Sequence, residues 1–164
     1  MINDIAIMVE MTEEKAFQRL SALCAKGEQC SYDLERKMKG WGVSDDARRK
    51  VMGRLHKERY VDDKRYCEMF VKDKVRFNRW GRRKIEQALW AKRIGEDIYR
   101  PILDAVDDND YKEALVPLLR QKERSLKGGT DYERYCKLLK FAMGRGFTMD
   151  IISQCIDLRG DEDC

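Results

Sequence analysis

The sequence is poor in proline, which breaks helices, and in histidine, a common metal ligand. Its 164 residues include two prolines, Pro101 and Pro117, and one histidine, His56. Lysine, arginine, glutamate, leucine and methionine, which all favour helices, are abundant by comparison. No segment shows the sustained two-residue alternation of a half-buried strand. We therefore expect an all-α protein.

The sequence also lacks the patterns that mark common active sites. None of the six cysteines forms a CxxC pair, so a single histidine leaves zinc without a plausible set of ligands. The phosphate loop GxxxxGK[ST], the dinucleotide motif GxGxxG and the nucleophile motif GxSxG are all absent. We expect no catalytic activity, no metal site and no cofactor.

Long apolar runs are missing as well. No stretch approaches the roughly 18 apolar residues that a membrane span requires. The first residues lack a basic region, and their apolar run extends only from Ile5 to Val9, which argues against a secretory signal.

Cys67 and Cys136 lie on apolar helical stripes. We expect a cytoplasmic protein with reduced cysteines and no membrane association.

What the sequence does contain is a repeat with a period near 50 residues. Residues 31–55 match residues 82–106 at a shift of 51, and a weaker third copy follows at a shift of 53. The shift of 51 places Leu34 on Ile85, Met38 on Leu89, Val43 on Ile94, Val51 on Ile102 and Leu55 on Val106. In the third copy, Leu138 matches Ile85 and Phe147 matches Ile94. Such a period with helical spacing indicates an array of helical units.

The pattern of each repeat unit predicts three short helices with apolar stripes at helical spacing. The stripes of the first unit contain Ala16, Leu20, Leu23, Cys24, Leu34, Met38, Ala47, Val51 and Leu55, and those of the middle unit contain Tyr66, Phe70, Phe77, Ile85, Leu89, Ile98, Ile102 and Val106. We expect an elongated array with an N-terminal extension (1–10), three-helix units at 11–61, 62–109 and 110–158, and an acidic tail (159–164).

Asp62 and Asp63 are adjacent at the junction of the first two units. Either carboxylate can accept hydrogen bonds from the free amides of the next helix, and both suit its positive end. The alternative is a magnesium-binding pair, since Mg²⁺ manages with one or two carboxylates plus waters and phosphates. No other acid, lysine or histidine is fixed nearby by spacing, so helix capping is the favoured interpretation.

Charge is strongly segregated along the chain. The basic segment, residues 72–93, carries nine cations against Asp73 and Glu86, a net charge of +7. Residues 48–65 carry +5, whereas residues 96–110 carry −5. Such a basic block suits phosphates or an acidic protein groove, although a solvated helix surface is the simpler explanation.

Three aromatic residues lie within the basic segment. Phe77 continues the stripe of Tyr66 and Phe70, which favours a core position over stacking on single-stranded bases. Trp80 precedes Gly81 and suits packing at a helix junction. Trp90 either remains exposed or packs against the neighbouring unit.

The stretch "RLHKERYVDDKRYCEMFV", followed by "GRRKIEQALWAKRI", resembles the central signature of the RecX family, modulators of the RecA recombinase. "CSYDLERKMKGWG" in the first unit resembles the opening repeat of that family. The signature positions are Tyr60, Asp62, Asp63, Arg65, Tyr66, Phe70, Gly81, Ile85 and Leu89. Cys67 stands where the family usually has alanine, Arg82 where proline is frequent, and Arg93 where a helix-ending glycine is frequent.

The resemblance implies binding to the RecA filament on single-stranded DNA, with inhibition of the RecA ATPase, strand exchange and filament growth in recombination and DNA repair. The candidate RecA- or DNA-binding residues are Lys72, Lys74, Arg76, Arg79, Arg82, Arg83, Lys84 and Trp90. A monomer is expected. The alternatives are a free-standing nucleic-acid-binding protein of helix-turn-helix type, whose basic second helix enters a major groove, and a purely structural helical scaffold.

Overall fold

A computed structural model of the protein describes residues 11–156. Within this range the chain forms nine α-helices and no strand, which confirms the all-α helical array. The helices are α1 (Glu13–Lys26), α2 (Ser31–Gly40), α3 (Asp45–Lys57), α4 (Asp63–Arg76), α5 (Arg82–Ala91), α6 (Glu96–Asp104), α7 (Asp108–Ser125), α8 (Asp131–Gly144) and α9 (Met149–Cys155). The expected N-terminal extension and acidic tail lie outside the described residues. The chain divides between Tyr66 and Cys67 into two compact units, here called the first and second units.

Local sequence signals set the helix ends of the first unit. Thr12 and Ser44 cap α1 and α3, because their hydroxyls accept hydrogen bonds from the amides of Lys15 and Ala47. Gly42, between α2 and α3, has φ 77°, a left-handed conformation that glycine adopts without steric cost. These signals place three helices within about 45 residues, so their apolar faces pack together.

The core of the first unit joins α1, α2 and α3. Helix α3 packs against both α1 and α2. The buried side chains are Ala16, Phe17, Leu20, Leu34, Met38, Val43, Val51, Met52, Leu55 and Val61. Most of these residues belong to the stripes that the sequence predicts.

The second unit packs α5 against α6, and α7 against both α8 and α9. Its buried side chains include Val71, Val75, Ile85, Leu89, Ile94, Tyr99, Leu103, Leu115, Leu138, Phe147 and Ile152. The buried face of α6 differs from the predicted one: Tyr99 and Leu103 are buried, whereas Ile98, Ile102 and Val106 are half-buried. A difference of one position rotates the buried face by about 100°. The repeat therefore fails to predict the orientation of this helix.

Phe77 is a second departure from the predicted core. Its side chain is 71% exposed. Helix α4 ends at Arg76, so Phe77 no longer follows the stripe of Tyr66 and Phe70. The prediction that Phe77 is buried is wrong.

The cysteines are only partly as expected. Cys24, Cys30, Cys67 and Cys155 are free thiols, and Cys67 is fully buried. Cys136 is disulfide-bonded, so the expectation that every cysteine is reduced is wrong at this position. Cys136 is half-buried rather than enclosed in the core. Among the described helices, none combines the length and the apolar character needed to cross a membrane.

Candidate partner-binding surface

Trp80, near the centre of the basic segment, contacts cations from two helices. It lies between α4 and α5, and the ammonium groups of Lys74 and Lys84 each lie 4.7 Å from the centroid of its ring. Lys74 also lies 5.2 Å from the ring of Phe70. Cation–π contacts of this kind contribute about 0.5–1 kcal/mol each at exposed sites. These contacts hold one lysine from α4 and one from α5 against the same indole ring. We call Lys74, Trp80 and Lys84 the Trp80 cluster.

Arg79 lies in the turn before Trp80 and has φ 54°, which is uncommon for a residue with a side chain. The guanidinium of Arg145 donates to the carbonyl of Arg79 at 3.3 Å and to that of Asn78 at 2.7 Å. These hydrogen bonds fix the α4–α5 turn from the end of α8. No local sequence pattern singles out Arg145.

Helix α5 begins with Arg82, Arg83 and Lys84, so its first turn is wholly basic. Cations at the positive end of a helix are unfavourable, whereas anions there typically stabilise by about 0.3–1 kcal/mol each. The unfavourable charge of Arg82 is partly neutralised, because its Nη2 lies 2.5 Å from a carboxylate oxygen of Asp104. Arg83 is exposed and has no such partner among the described residues. The charge pattern of this turn is therefore opposite to what helix stability favours.

Like Arg83, most cations of the basic segment form no salt bridge with the described residues. No carboxylate oxygen of the described residues lies within 4.0 Å of the side-chain nitrogens of six of them: Lys72, Lys74, Arg76, Arg79, Arg83 and Lys84. The guanidinium of Arg76 instead lies 5.7 Å from the ring of Phe77. Phe77 and Trp90 are the most exposed aromatic side chains, at 71% and 74%. This combination of unpaired cations and exposed rings suits an anionic partner.

The two aspartates of the signature are helix caps. A carboxylate oxygen of Asp62 accepts from the amide of Arg65 at 3.0 Å, which caps α4. A carboxylate oxygen of Asp63 accepts from the amide of Ser31 at 2.8 Å, at the start of α2. Sequence spacing predicts the first bond, whereas the second joins residues 32 positions apart. The pair therefore caps two different helices, α4 and α2.

Arg65 fixes the turn between α3 and α4. Its Nε donates to Glu28 at 2.5 Å, and its Nη2 lies 3.3 Å from the carbonyl of Arg59. The hydrogen bond to Glu28 raises the pKa of Arg65 above its ordinary value. Tyr60 packs edge-on against Phe17, with the ring centroids 5.8 Å apart. These signature residues therefore make contacts that stabilise the fold.

The remaining signature residues are buried. Tyr66, Phe70, Gly81, Ile85 and Leu89 all belong to the interior. Gly81 packs directly against residues 146 and 147, where a methyl group would lie 2.2 Å from the backbone nitrogen of Phe147. The structure thus separates the candidate residues into a structural set and a basic set whose members are exposed or half-buried.

Family models match most of the second unit. Residues 62–100 match the model described as "RecX, second three-helix domain", and residues 109–156 match "RecX, third three-helix domain". The first match covers α4, α5 and the first half of α6, and the second covers all of α7 except its first residue, together with α8 and α9.

Curated relatives carry the same family name. A regulatory protein RecX of Clostridium botulinum (strain Eklund 17B / Type B) is 31% identical over 70% of this chain and 54% of its own length. A regulatory protein RecX of Clostridium perfringens (strain 13 / Type A) is 26% identical over 94% and 75%. A regulatory protein RecX of Chlorobium phaeobacteroides (strain BS1) is 29% identical over 92% and 97%. The chain therefore spans about half the length of the first relative and nearly all of the third.

Two solved structures share the fold. A crystal structure of regulatory protein RecX has a TM-score of 0.80 and covers 87% of this chain and 72% of its own. A crystal structure of RecX from Lactobacillus salivarius has a TM-score of 0.78 and covers 87% and 93%. Both are 19% identical to this chain.

Proposed function

Since this chain belongs to the RecX family of regulatory proteins, we propose that it binds the RecA filament on single-stranded DNA and restrains the RecA ATPase, strand exchange and filament growth. It acts in the cytoplasm as a monomer, in recombination and DNA repair. Its three-helix units comprise residues 11–61, 62–109 and 110–158.

The observation that supports this proposal most is the basic first turn of α5 beside the Trp80 cluster. Arg83 and Lys84 weaken the helix that carries them, because they add positive charge at its positive end. When an anionic partner is bound, the same two cations contribute favourably to the free energy through their attraction to it. Phosphates of the filament or carboxylates of RecA both supply the required charge, and we assign Arg83 and Lys84 as the direct contacts.

The helix-turn-helix alternative is less well supported by the geometry. Recognition helices contact base edges with their N-terminal residues. The start of α5 is instead held against another part of the second unit, since the amide of Arg83 donates to the carbonyl of Gly146 at 2.9 Å. This contact favours a role for the exposed side chains over insertion of the helix end into a groove.

A RecA ATPase assay on single-stranded DNA tests the proposal. The test variant combines Arg83→Glu with Lys84→Glu and leaves Arg82 unchanged, because Arg82 pairs with Asp104. The matched control combines Lys137→Glu with Lys140→Glu, two exposed residues of α8 with the same total change of charge. Wild type and control should suppress the ATPase, whereas the test variant should require about tenfold more protein, equivalent to about 1.4 kcal/mol of binding free energy.

The salt dependence of binding identifies the partner group. If the two cations meet phosphates, the slope of log K against log salt should shrink by roughly 0.7 per lost contact on a single strand. If they meet RecA carboxylates, binding to naked DNA should not change. Full ATPase suppression by the test variant at the wild-type concentration and salt would remove these residues from the mechanism.

A further inference from the structure

The second unit contains an open groove of 650 Å³ between α4, α6 and α7, here called the α4–α6–α7 groove. Its apolar floor consists of Val71, Val75, Ile102, Ala105, Val106 and Ala114. Ile102 and Val106 are two of the residues that the repeat assigns to the core and that the structure leaves half-buried. The rotation of α6 thus exposes apolar surface in a concave site.

The two edges of the groove carry opposite charges. The edge formed by α4 and its following turn has a net positive charge, since Lys72, Arg76 and Arg79 outnumber Glu68. The edge formed by α7 carries the acidic residues Asp110 and Glu113. Within residues 11–156, no salt bridge joins these two edges. Because these charges are not paired with each other across the groove, an occupant of the groove can pair with both edges.

We propose that this groove binds an amphipathic helix of a partner protein. The apolar face of that helix would lie on the floor, with acidic side chains towards α4 and basic side chains towards α7. From Glu68 to Arg76 the groove follows α4 for about 12 Å, which accommodates apolar residues at positions i, i+4 and i+7 of a bound helix. A nucleic-acid strand fits less well, because Asp110 and Glu113 repel phosphate.

The inference goes beyond the proposed function. It concerns a groove distinct from the Trp80 cluster, and it requires neither RecA nor DNA. It also divides the basic segment: Lys72, Arg76 and Arg79 serve a protein segment, whereas Arg83 and Lys84 serve the partner of the proposed function.

Fluorescence anisotropy of a labelled model peptide tests the groove directly. The probe is an alanine-based helix of about 15 residues with leucine at three groove-facing positions, glutamate on one flank and lysine on the other. Ala105→Trp fills the groove at an exposed position, and Ala91→Trp adds the same side chain at the exposed end of α5. Wild type and Ala91→Trp should bind the probe, and Ala105→Trp should weaken binding at least about tenfold.

Charge reversal then tests the two edges. Lys72→Glu with Arg76→Glu makes both edges acidic, and Asp110→Lys with Glu113→Lys makes both basic. Each pair should weaken binding of the probe, whereas the combination of all four should restore it, because the edges again differ in sign. Circular dichroism establishes that the variants remain helical.

Three results would overturn the inference. The first is equal probe affinity in Ala105→Trp and Ala91→Trp. The second is displacement of the probe from the wild type by an oligothymidine strand, which would make the groove a nucleic-acid site. The third is self-association in sedimentation experiments that Ala105→Trp abolishes, which would make the occupant a second copy of this chain.

Discussion

Gly81 and Arg145 are joined by a backbone hydrogen bond of 2.9 Å, from the amide of Gly81 to the carbonyl oxygen of Arg145. This bond and that from Arg83 to Gly146 attach the start of α5 to the segment that follows α8. A side chain at position 81 would meet backbone atoms within 2.4 Å. The family position Gly81 is therefore explained by the close approach of two chain segments rather than by backbone conformation.

Gly81→Ala should lower the free energy of unfolding by at least about 2 kcal/mol, because the added methyl group forces these segments apart. Gly53→Ala is the matched control. Gly53 lies at an exposed position in the middle of α3, and nothing lies within 4 Å of the site of its added methyl group. Urea unfolding should show Gly53→Ala to be more stable than wild type by about 0.5–1 kcal/mol. Equal stability of the two variants would contradict the packing argument.

The two aspartates should contribute to stability through different helices. Asp62→Ala removes the cap of α4 and should cost about 0.5–2 kcal/mol. Asp63→Ala leaves the amide of Ser31 without its acceptor and should cost about 1–3 kcal/mol. Asparagine at either position keeps an acceptor oxygen and should retain most of the stability. Magnesium should not alter thermal unfolding of any variant. A magnesium-dependent nuclease activity lost in both alanine variants would instead support a metal site.

Arg93 has φ 56° in the turn between α5 and α6. Its counterparts in the other two repeats are Gly42 and Gly146, with φ 77° and 93°. A left-handed conformation costs a non-glycine residue about 1 kcal/mol. Arg93→Gly should therefore be about 1 kcal/mol more stable than Arg93→Ala, which removes the same side chain but keeps the strain. Equal melting temperatures for the two variants would contradict this account.

Tyr111 is 4% exposed, and its hydroxyl has no hydrogen-bond partner among the described residues. Burial raises the pKa of Tyr111 from its ordinary value of 10.0 to about 12. In the unfolded chain the tyrosine loses its proton at lower pH than in the folded protein. Its ionisation therefore lowers stability as pH rises from 10 to about 12.

Tyr111→Phe should remove this contribution to the loss of stability at high pH. At neutral pH it should be at least as stable as wild type, because it removes a buried hydroxyl that is not hydrogen-bonded. Urea unfolding at several pH values measures both effects. Tyr135→Phe, which keeps Tyr111, should follow the wild-type pH dependence. A marked loss of stability in Tyr111→Phe at pH 7 would show that the hydroxyl has a stabilising partner.

Local patterns predict much of this fold because most helix ends depend on nearby residues. Ser44 and Thr130 cap the helices that begin one residue later, and Gly42 ends a turn as its conformational freedom suggests. The repeat also places Leu34 and Ile85 correctly in the core. Each of these features requires information from only a few neighbouring positions or from a matching copy.

The features that the sequence does not predict depend on residues far apart in the chain. No local pattern links Asp63 to Ser31, or Arg145 to the turn at Arg79. The orientation of α6 follows from packing within the second unit, which selects Tyr99 over Ile98 although both are apolar. The candidate surface was therefore predictable as a block of charge, but its division into the Trp80 cluster, the Arg82 ion pair and a groove was not.

The bond from Asp63 to Ser31 also bears on the order of events during synthesis. Cys30, the residue before α2, provides no side-chain cap, so the first amide of that helix depends on a carboxylate made 32 residues later. Arg65, which holds Glu28, is made later still. A nascent chain that stops at Val61 contains the three helices of the first unit but lacks both attachments. The first unit can complete its folding only after the first turn of α4 has left the ribosome.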